Sequence, residues 1–278
     1  MGCSAGKPLP FDLPPIPDDV VRLSPASPEN LVEEVVEVMK LCFAGTTTSS
    51  GEGAVSWVLD PNGNADGDPS KPLLEDPSAL RISLFEFIIR VAMAACLPHK
   101  TVFALVQNGR VSGACFLLPP NNHKLHELGA CALLRVLLKC GMGPQPAFWD
   151  AHISRRLDAV TGFMSKAHKE VMPGPHWYLF ALGTKIGMHG KGCGSKLMDF
   201  ATKCADQTGH PMYLETYGPG NIRLYQKYNF AVQVQQEIVA KGNSGVLSKH
   251  GGYAAMVRPK LGEEKQRLGE LHGVNAAS

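Results

Sequence analysis

The stretch of sequence that decides the fold runs from His176 to Phe230 and reads HWYLFALGTKIGMHGKGCGSKLMDFATKCADQTGHPMYLETYGPGNIRLYQKYNF. It starts with an apolar run from Trp177 to Ile186 that contains enough aromatic and β-branched residues to be a strand. A glycine cluster follows and opens a helix; its members are Gly190, Gly192 and Gly194. The helix carries apolar residues at three- and four-residue spacing, namely Leu197, Phe200, Ala201, Cys204 and Ala205. This order places free backbone N–H groups and the positive end of a helix dipole at one point, so we expect the turn to bind an anion.

A second strand and a short helix complete this stretch. Met212 to Thr216 has the composition of a strand and carries Glu215. After Gly218-Pro219-Gly220, a short helix is predicted to start near Asn221. Asn221 and Tyr225 are four residues apart and therefore share one face of that helix, next to the end of the Glu215 strand.

Two common phosphate-binding motifs do not fit the glycine cluster. A P-loop would need a glycine where this chain has Lys185, and a serine or threonine where it has Gly192. A dinucleotide-binding fingerprint would need a glycine in place of Ser195. Because a glycine cluster alone is a weak signal, its meaning depends on the second strand and the short helix that follow it.

Taken together, these features resemble the GNAT superfamily of acyl-coenzyme A-dependent N-acyltransferases. The signature of that family is Arg/Gln-x-x-Gly-x-Gly/Ala on the turn between a central strand and a helix. Gly192 and Gly194 match it, whereas His189 stands where the family has Arg or Gln. The turn holds a diphosphate mainly through backbone N–H groups, which do not depend on the side chain at that position.

Within the superfamily, the spacing is most similar to that of puromycin N-acetyltransferase and its relatives. They have a Leu-Glu-Thr strand at the same distance from an Asn and a Tyr as Leu214-Glu215-Thr216 has from Asn221 and Tyr225. The resemblance extends from Trp177 to roughly Glu237.

The resemblance implies where acetyl-coenzyme A would bind. The central strand and the Glu215 strand should splay apart, with the pantetheine arm in the gap and paired with the edge formed by Leu182, Gly183 and Thr184. The acetyl carbonyl should face the N–H of Leu182. The diphosphate should lie on the glycine turn, formed by His189, Gly190, Lys191, Gly192, Cys193, Gly194 and Ser195. Asn221 should cap the short helix and face the cofactor.

Catalytic roles follow from the chemistry of amine attack on a thioester. By the resemblance, Tyr225 is the acid that protonates the leaving thiolate, and Glu215 is the base that deprotonates the amine, directly or through a water. The alternatives are a Tyr225 that only packs on the sheet and a Glu215 that only caps the turn at Gly218. His176, which precedes the central strand, is expected to be structural.

The sequence thus predicts an acetyl-coenzyme A-dependent N-acetyltransferase that transfers an acetyl group to a primary amine, by direct attack in a ternary complex. A small-molecule acceptor is favoured, but antibiotics, polyamines, arylalkylamines and protein N-termini all stay open. The change at His189 also permits a second class of function, a sensor or scaffold that binds acyl-coenzyme A without turnover.

Composition limits the remaining possibilities. The chain has 278 residues, 44% of them hydrophobic and 19% charged, which suits one elaborated globular domain. Its net charge of +2 gives no electrostatic reason to expect a nucleic-acid partner. Eight cysteines without a Cys-x-x-Cys pair predict free thiols in a cytoplasmic protein. His123 and His126 have no cysteine nearby, so no metal site is predicted.

The rest of the chain predicts an α+β fold, a GNAT-type mixed, twisted central sheet flanked by helices, with extra helices inserted before the central strand. We expect a flexible tail at 1–19, one domain at 20–260 with an inserted loop at 45–76, and a second tail at 261–278. The elements expected before and after the central stretch are strands at 20–23, 101–107, 111–118, 231–239 and 253–257 and helices at 31–43, 79–97, 125–140 and 147–171.

Two further expectations concern membranes and the acceptor. No stable membrane insertion is predicted, because Glu86 and Arg90 interrupt the most apolar helix and should form a solvated pair on its exposed side. Lipidation at Gly2 and Cys3 is a weak possibility, since Gly6 stands where the myristoylation motif has Ser or Thr. The extra helices between Ala79 and Val171 should wall the acceptor site.

Overall fold

The computed structural model describes residues 9, 11–47, 53–59, 76–121, 136, 138, 150–248 and 252–262. The strands are β1 (Val20–Leu23), β2 (Val102–Gln107), β3 (Arg110–Leu118), β4 (Trp177–Thr184), β5 (Met212–Tyr217), β6 (Ala231–Gln236), β7 (Ile238–Val239), β8 (Val246–Leu247) and β9 (Tyr253–Arg258). The helices are α1 (Glu29–Ala44), α2 (Gly53–Leu59), α3 (Ala79–Cys96), α4 (Ala151–Val171), α5 (Cys193–Thr208) and α6 (Pro219–Gln226), with a 3₁₀ turn at Leu97–His99.

Seven strands of the described residues form one mixed sheet in the order β1-β2-β3-β4-β5-β9-β6. β4 and β5 pair in parallel, and the other neighbours in this sheet pair antiparallel. The mixed α+β sheet flanked by helices is therefore confirmed. The β2–β3 hairpin turns at Asn108 and Gly109, whose φ angles of 52° and 72° are those that an Asn-Gly turn adopts readily.

Helices cover both faces of the sheet. The face that we call the α4 face packs against α1 to α4, with Val35 and Phe163 among its buried residues. The other face, the α5 face, packs mainly against α5, which buries Phe200 there. Because side chains alternate along a strand, β5 sends Tyr213 to the α4 face and Leu214 to the α5 face. No helix of the described residues is long and apolar enough to cross a membrane.

The predicted inserted loop at 45–76 contains a helix. In α2, Trp57 and Val58 are 1% exposed and belong to the core of the α4 face. The buried guanidinium of Arg156 on α4 donates to the carbonyls of both residues, at 3.2 and 3.4 Å. A cation at the C-terminal end of a helix satisfies carbonyls that have no partner within the helix. Local propensity did not reveal α2, because it is stabilised by these distant contacts.

Three other predictions differ from the structure. Arg90 and Glu86 are not a solvated pair, because Arg90 is largely buried and also binds Glu33 at 2.6 Å, which joins α3 to α1. Phe11, in the segment expected to be a flexible tail, packs on the ring of Trp177 at 5.5 Å. The strand predicted for 231–239 is divided into β6 and β7, since β7 leaves the main sheet and pairs with β8.

The helix predicted for 125–140 lies outside the described residues except for positions 136 and 138. His123 and His126 also lie outside them, as do residues 1–8 and 10 of the first predicted tail and 263–278 of the second. The following helix begins at Ala151, where the side chain of Asp150 accepts hydrogen bonds from the N–H groups of His152 and Ile153. This is an N-cap, and it fixes where α4 starts.

Candidate active site

The site is built around the separation of β4 from β5. The two strands pair at Trp177 with Met212 and at Tyr178 with Tyr213, and at no later described residue. β4 continues to Thr184 on β3, while β5 continues to its end on β9. The strands therefore splay apart as the family resemblance predicts, and the edge of β4 that faces β5 has no strand partner beyond Tyr178.

The backbone groups on that edge can be assigned from strand alternation. Lys185 donates its N–H to Ser112 on β3 at 2.9 Å, so the N–H groups of Thr184 and Leu182 point the other way, into the gap. The backbone of Thr184 lies close to the thiol of Cys42 on α1. Burial raises the pKa of this thiol, and the backbone of Thr184 acts in the opposite direction. Leu182 thus offers the more accessible edge group.

Gly183 lies between these two residues but has a different role. A Cβ added there would lie 3.0 Å from Sδ of Met39 and 3.1 Å from Sγ of Cys42. Its lack of a side chain lets α1 lie close to β4, and alternation turns its N–H toward β3. It was predicted as a cofactor-binding residue together with its neighbours, and the structure gives it a packing role.

The glycine turn presents an uncapped helix end. Gly192 is the N-cap of α5, has a φ of 79° and makes no side-chain capping bond. Gly190 also has a positive φ, of 75°, and an added Cβ at either glycine would meet no atom within 4 Å. The N–H groups of the first turn of a helix have no intrahelical acceptor. They are therefore available to an anion in the open space before the turn, which fits a diphosphate.

The side chains around the turn differ in how accessible they are to a bound ligand. His189 and Lys191 are exposed beside it, whereas Lys196 forms an ion pair with Asp19 at 2.5 Å. Cys193 is buried and points its thiol at Gln107, 3.7 Å away, so only its backbone can face a ligand. Ser195 is exposed, and its carbonyl accepts a bond of 3.5 Å from the hydroxyl of Tyr228.

Glu215 lies two residues beyond Tyr213, the last residue of β5 that pairs with β4, and strand alternation puts it on the α4 face. Its Oε1 is buried and has no hydrogen-bond partner among the described residues. Burial raises the pKa of this carboxyl from 4.5 to about 7, although the nearby hydroxyls of Tyr178 and Tyr213 act in the opposite direction. No hydrogen bond joins the side chain of Glu215 to the turn at Gly218 among the described residues, so the structure gives no support for the capping role considered for Glu215. A carboxyl with this pKa can exchange a proton near neutral pH.

Tyr178 and Tyr213 were not recognised as site residues from the sequence. Burial and the neighbouring Glu215 raise the pKa of both phenols, which stay protonated. The hydroxyl of Tyr213 is also buried, and no described residue hydrogen-bonds to it. The alternation of Tyr213, Glu215 and Tyr217 along one strand is the sequence signal that places them on one face.

Tyr225 lies on α6, whose residues pack on the α5 face. Its ring is half-buried and contacts Phe230 at 5.9 Å between centroids. Burial, with a further contribution from Cys42, raises the pKa of Tyr225 to about 12. Since Cys42 also contacts the backbone of Thr184, Tyr225 belongs to the same region as the open end of β4.

Asn221 does not cap the short helix. The N-cap is Gly218, with a φ of 92°, and α6 begins at Pro219. Asn221 lies in the first turn and donates its side-chain N–H to the carbonyl of Tyr217 at 3.1 Å. The capping prediction is therefore wrong, because proline at the first helical position starts the helix two residues earlier. The exposed side chain of Asn221 instead ties α6 to the end of β5.

A pair of histidines lies beneath this site. Nε2 of His168 on α4 is 2.6 Å from Nε2 of His176, and the ring of His168 also contacts Tyr178. His176 is 1% exposed, in agreement with the structural role expected for it. Among the described residues, no group of three or more histidine, cysteine, aspartate or glutamate side chains could hold a metal ion.

Solved structures provide a comparison for the fold. Arylalkylamine N-acetyltransferase 2 from Aedes aegypti is 11% identical, with a TM-score of 0.51 over 86% of this chain and 97% of that chain. The chain has the GNAT fold. Polyamine N-acetyltransferase from Drosophila melanogaster is 15% identical, with a TM-score of 0.49 over 86% of this chain and 98% of that chain. No protein-family model matches the sequence.

Proposed function

We propose that this protein is an acetyl-coenzyme A-dependent N-acetyltransferase that acetylates a primary amine of a small molecule. The observation that carries the proposal is the position of Glu215, a half-buried residue just past the point where β4 and β5 separate. One of its carboxyl oxygens is buried without a hydrogen-bond partner among the described residues, and the pKa of the group is about 7. An ammonium group of the acceptor would donate a hydrogen bond to that oxygen. The carboxylate of Glu215 would then accept the proton that the ammonium group must lose before it attacks. The kinship with puromycin N-acetyltransferases inferred from the sequence is part of this proposal.

Residues of α5, of the glycine turn before it and of β4 would hold the cofactor. The first-turn N–H groups of α5, from Gly192 to Ser195, would bind the diphosphate, with Lys191 and His189 beside them. The N–H of Leu182 would pair with the amide-containing arm. When bound, acetyl-coenzyme A supplies an acetyl group activated as a thioester. The open space before Gly190 and Gly192 is consistent with this assignment.

The protein then moves two protons. Glu215 takes one from the ammonium group of the acceptor, so that a neutral amine is presented for direct attack. Tyr225 keeps its phenolic proton because its pKa is about 12, and it donates this proton to the leaving thiolate. The second proton of the amine nitrogen, released as the C–S bond breaks, replaces it on Tyr225. The N–H of Leu182 stabilises the negative charge that develops on the carbonyl oxygen. Holding the reactants together in a ternary complex supplies a further part of the rate.

The decisive test is acetyl transfer by the full chain. The purified protein is incubated with acetyl-coenzyme A and a panel of small primary amines, and both free coenzyme A and the N-acetylated amine are quantified by mass spectrometry. Mass detection is preferable to a thiol reagent because the chain contains eight cysteines. The affinity of the protein for coenzyme A is measured in parallel by calorimetry.

Each outcome decides between functions. Stoichiometric formation of coenzyme A and an N-acetylated amine supports the proposal. Coenzyme A binding without transfer to any amine would assign the protein to the non-catalytic acyl-coenzyme A-binding class. Neither binding nor transfer would overturn both interpretations.

A further inference from the structure

Aromatic rings surround Glu215 on the α4 face. Tyr178 and Tyr213 contact each other with ring centroids 5.6 Å apart, and Tyr178 also contacts Phe180 at 5.8 Å. On the other side of Glu215 along β5, the rings of Tyr217 and Tyr253 are 6.4 Å apart. The surroundings of the carboxylate are therefore aromatic, with the hydroxyls of Tyr178 and Tyr213 close to it.

Phe180 has the position on β4 that Glu215 has on β5. Each lies two residues beyond the last β4–β5 pair, Tyr178 and Tyr213. Phe180 packs on the α4 face, and strand alternation puts Glu215 on the same face as Tyr213. The two side chains thus stand on opposite strands at the start of the gap. Phe180 is only half-buried, whereas Tyr178 and Tyr213 are at most 4% exposed, so Phe180 offers accessible aromatic surface at this point.

A bulge in β4 lies at Phe180. Leu179 is opposite Leu117 and Ala181 is opposite Phe116, so Phe180 has no partner residue on β3. As a result, Phe180 and Ala181 both belong to the α4 face, although successive residues of a regular strand point to opposite faces. A bulge redirects a side chain and is frequent beside active sites.

The charges near Glu215 are those of a site for one cation. The side chains that shift its pKa are the two tyrosines, and no second carboxylate of the described residues is among them. Several other carboxylates have cationic partners away from the site, such as Glu33 with Arg90 and Asp206 with Arg258. Among the described residues, a second ammonium group near Glu215 would therefore lose water without gaining a carboxylate partner.

We infer that the acceptor is a primary amine with one positive charge and an aromatic or bulky apolar body, and that Phe180 is the side chain that selects it. This inference rests on the proposed acetyl transfer, whose substrate class it names. The ammonium group pairs with Glu215, and the ring face of Phe180 packs against the body of the acceptor. Discrimination by one apolar contact is typically about 10- to 200-fold in kcat/KM.

Two matched pairs of amines test the inference with the full chain. Hexylamine and 1,6-diaminohexane differ in the second ammonium group, and 2-phenylethylamine and ethylamine differ in the aromatic body. We expect kcat/KM to be at least about 10-fold higher for hexylamine and for 2-phenylethylamine than for their counterparts. Equal or higher values for the diamine and for ethylamine would overturn the inference and leave the proposed function intact.

Variants then assign the selection to a residue. Phe180→Ala should raise KM for 2-phenylethylamine about 10-fold or more, with KM for ethylamine and the dissociation constant of coenzyme A unchanged. Phe180→Leu, which keeps apolar volume, should restore part of the preference and serves if the alanine variant does not fold. Phe11→Ala is the control, since it removes a phenylalanine ring from the α5 face. It should leave the kcat/KM ratio of each pair of amines unchanged.

The remaining outcomes are also decisive. A Phe180→Leu or Phe180→Ala protein with the wild-type preference removes Phe180 from the proposal. If coenzyme A binds but none of the four amines is acetylated, the proposed transfer itself fails, a result distinct from transfer with the opposite preference.

Discussion

The ring of His168 stacks on the ring of Tyr213, with centroids 4.6 Å apart and planes inclined by 9°. Nδ1 of His176 lies 2.6 Å from the carbonyl of Gly174, which can only accept, so this nitrogen donates. In the neutral pair, Nε2 of His176 must then accept from Nε2 of His168. Helix α4 is thereby attached to the start of β4, and the phenol of Tyr213 is held beside Glu215.

His168→Phe separates the stacking from the hydrogen bond. Phenylalanine retains a ring over Tyr213 but removes the donor that His168 provides to the buried ring of His176, and loss of a buried hydrogen bond typically costs about 1–3 kcal/mol. We expect a lower melting temperature, with the dependence of kcat/KM on pH near 7 unchanged, because Glu215 is not altered. A change in that pH profile would show that the histidine pair takes part in proton transfer.

The two glycines at the start of α5 should respond differently to alanine. Gly192 has a left-handed φ of 79°, so Gly192→Ala strains the turn and redirects its N–H groups. Gly194 is helical with a normal φ, and its new Cβ would meet only a methyl group of Thr184, at 3.7 Å. We expect coenzyme A affinity to fall about 10-fold or more for Gly192→Ala, equivalent to about 1.4 kcal/mol. Gly194→Ala should bind normally and melt slightly higher.

Calorimetry and thermal melting of both variants check this pair. Equal losses of affinity would contradict the interpretation that coenzyme A binding requires the turn conformation at Gly192. They would indicate instead that any added methyl group obstructs the ligand. Normal binding by both would remove the turn from the cofactor site.

Local patterns allowed the central part of the site to be predicted. The apolar strand, the glycine turn and the helix from Cys193 are contiguous in sequence, and their order fixes the uncapped end of α5. The contact between Cys42 and the backbone of Thr184 joins distant segments and has no local signal. The same holds for Arg156 and Trp57, whose segment is rich in glycine, serine and aspartate and reads as a loop.

Tyr225→Phe removes the proposed proton donor while the ring continues to pack on Phe230. We expect stability and the dissociation constant of acetyl-coenzyme A to change little, and turnover to fall by about 10²-fold, the usual scale of general acid catalysis. Tyr228→Phe is the matched control, since its hydroxyl makes only a 3.5 Å bond to Ser195. Full turnover of Tyr225→Phe, measured where chemistry limits the rate, would return Tyr225 to a packing role.

The pH dependence of transfer should report Glu215. With a pKa of about 7, Glu215 is mostly protonated at pH 6 and ionised at pH 8, so kcat/KM should rise across this range. In Glu215→Gln, kcat/KM should no longer show this rise near pH 7. The loss of activity relative to the wild type should become smaller at high pH, where the amine loses its proton without the help of a base. A variant with the wild-type profile would exclude Glu215 as the base.

The stability of the folded protein should also depend on Glu215, but it should fall as the pH rises, whereas the rate of transfer should increase. Because burial raises the pKa of Glu215 from 4.5 to about 7, the folded protein binds a proton more tightly than the unfolded chain does. The favourable contribution of the protonated group is complete below pH 4.5 and is lost as the pH rises through 7, a difference of about 3 kcal/mol. Glutamine stays neutral, so Glu215→Gln should melt higher than the wild type at pH 8 and nearly level with it at pH 4.5, even as transfer falls. Thermal melting at both pH values checks this, and an unchanged difference between them would show that the carboxylate is solvated in the folded protein.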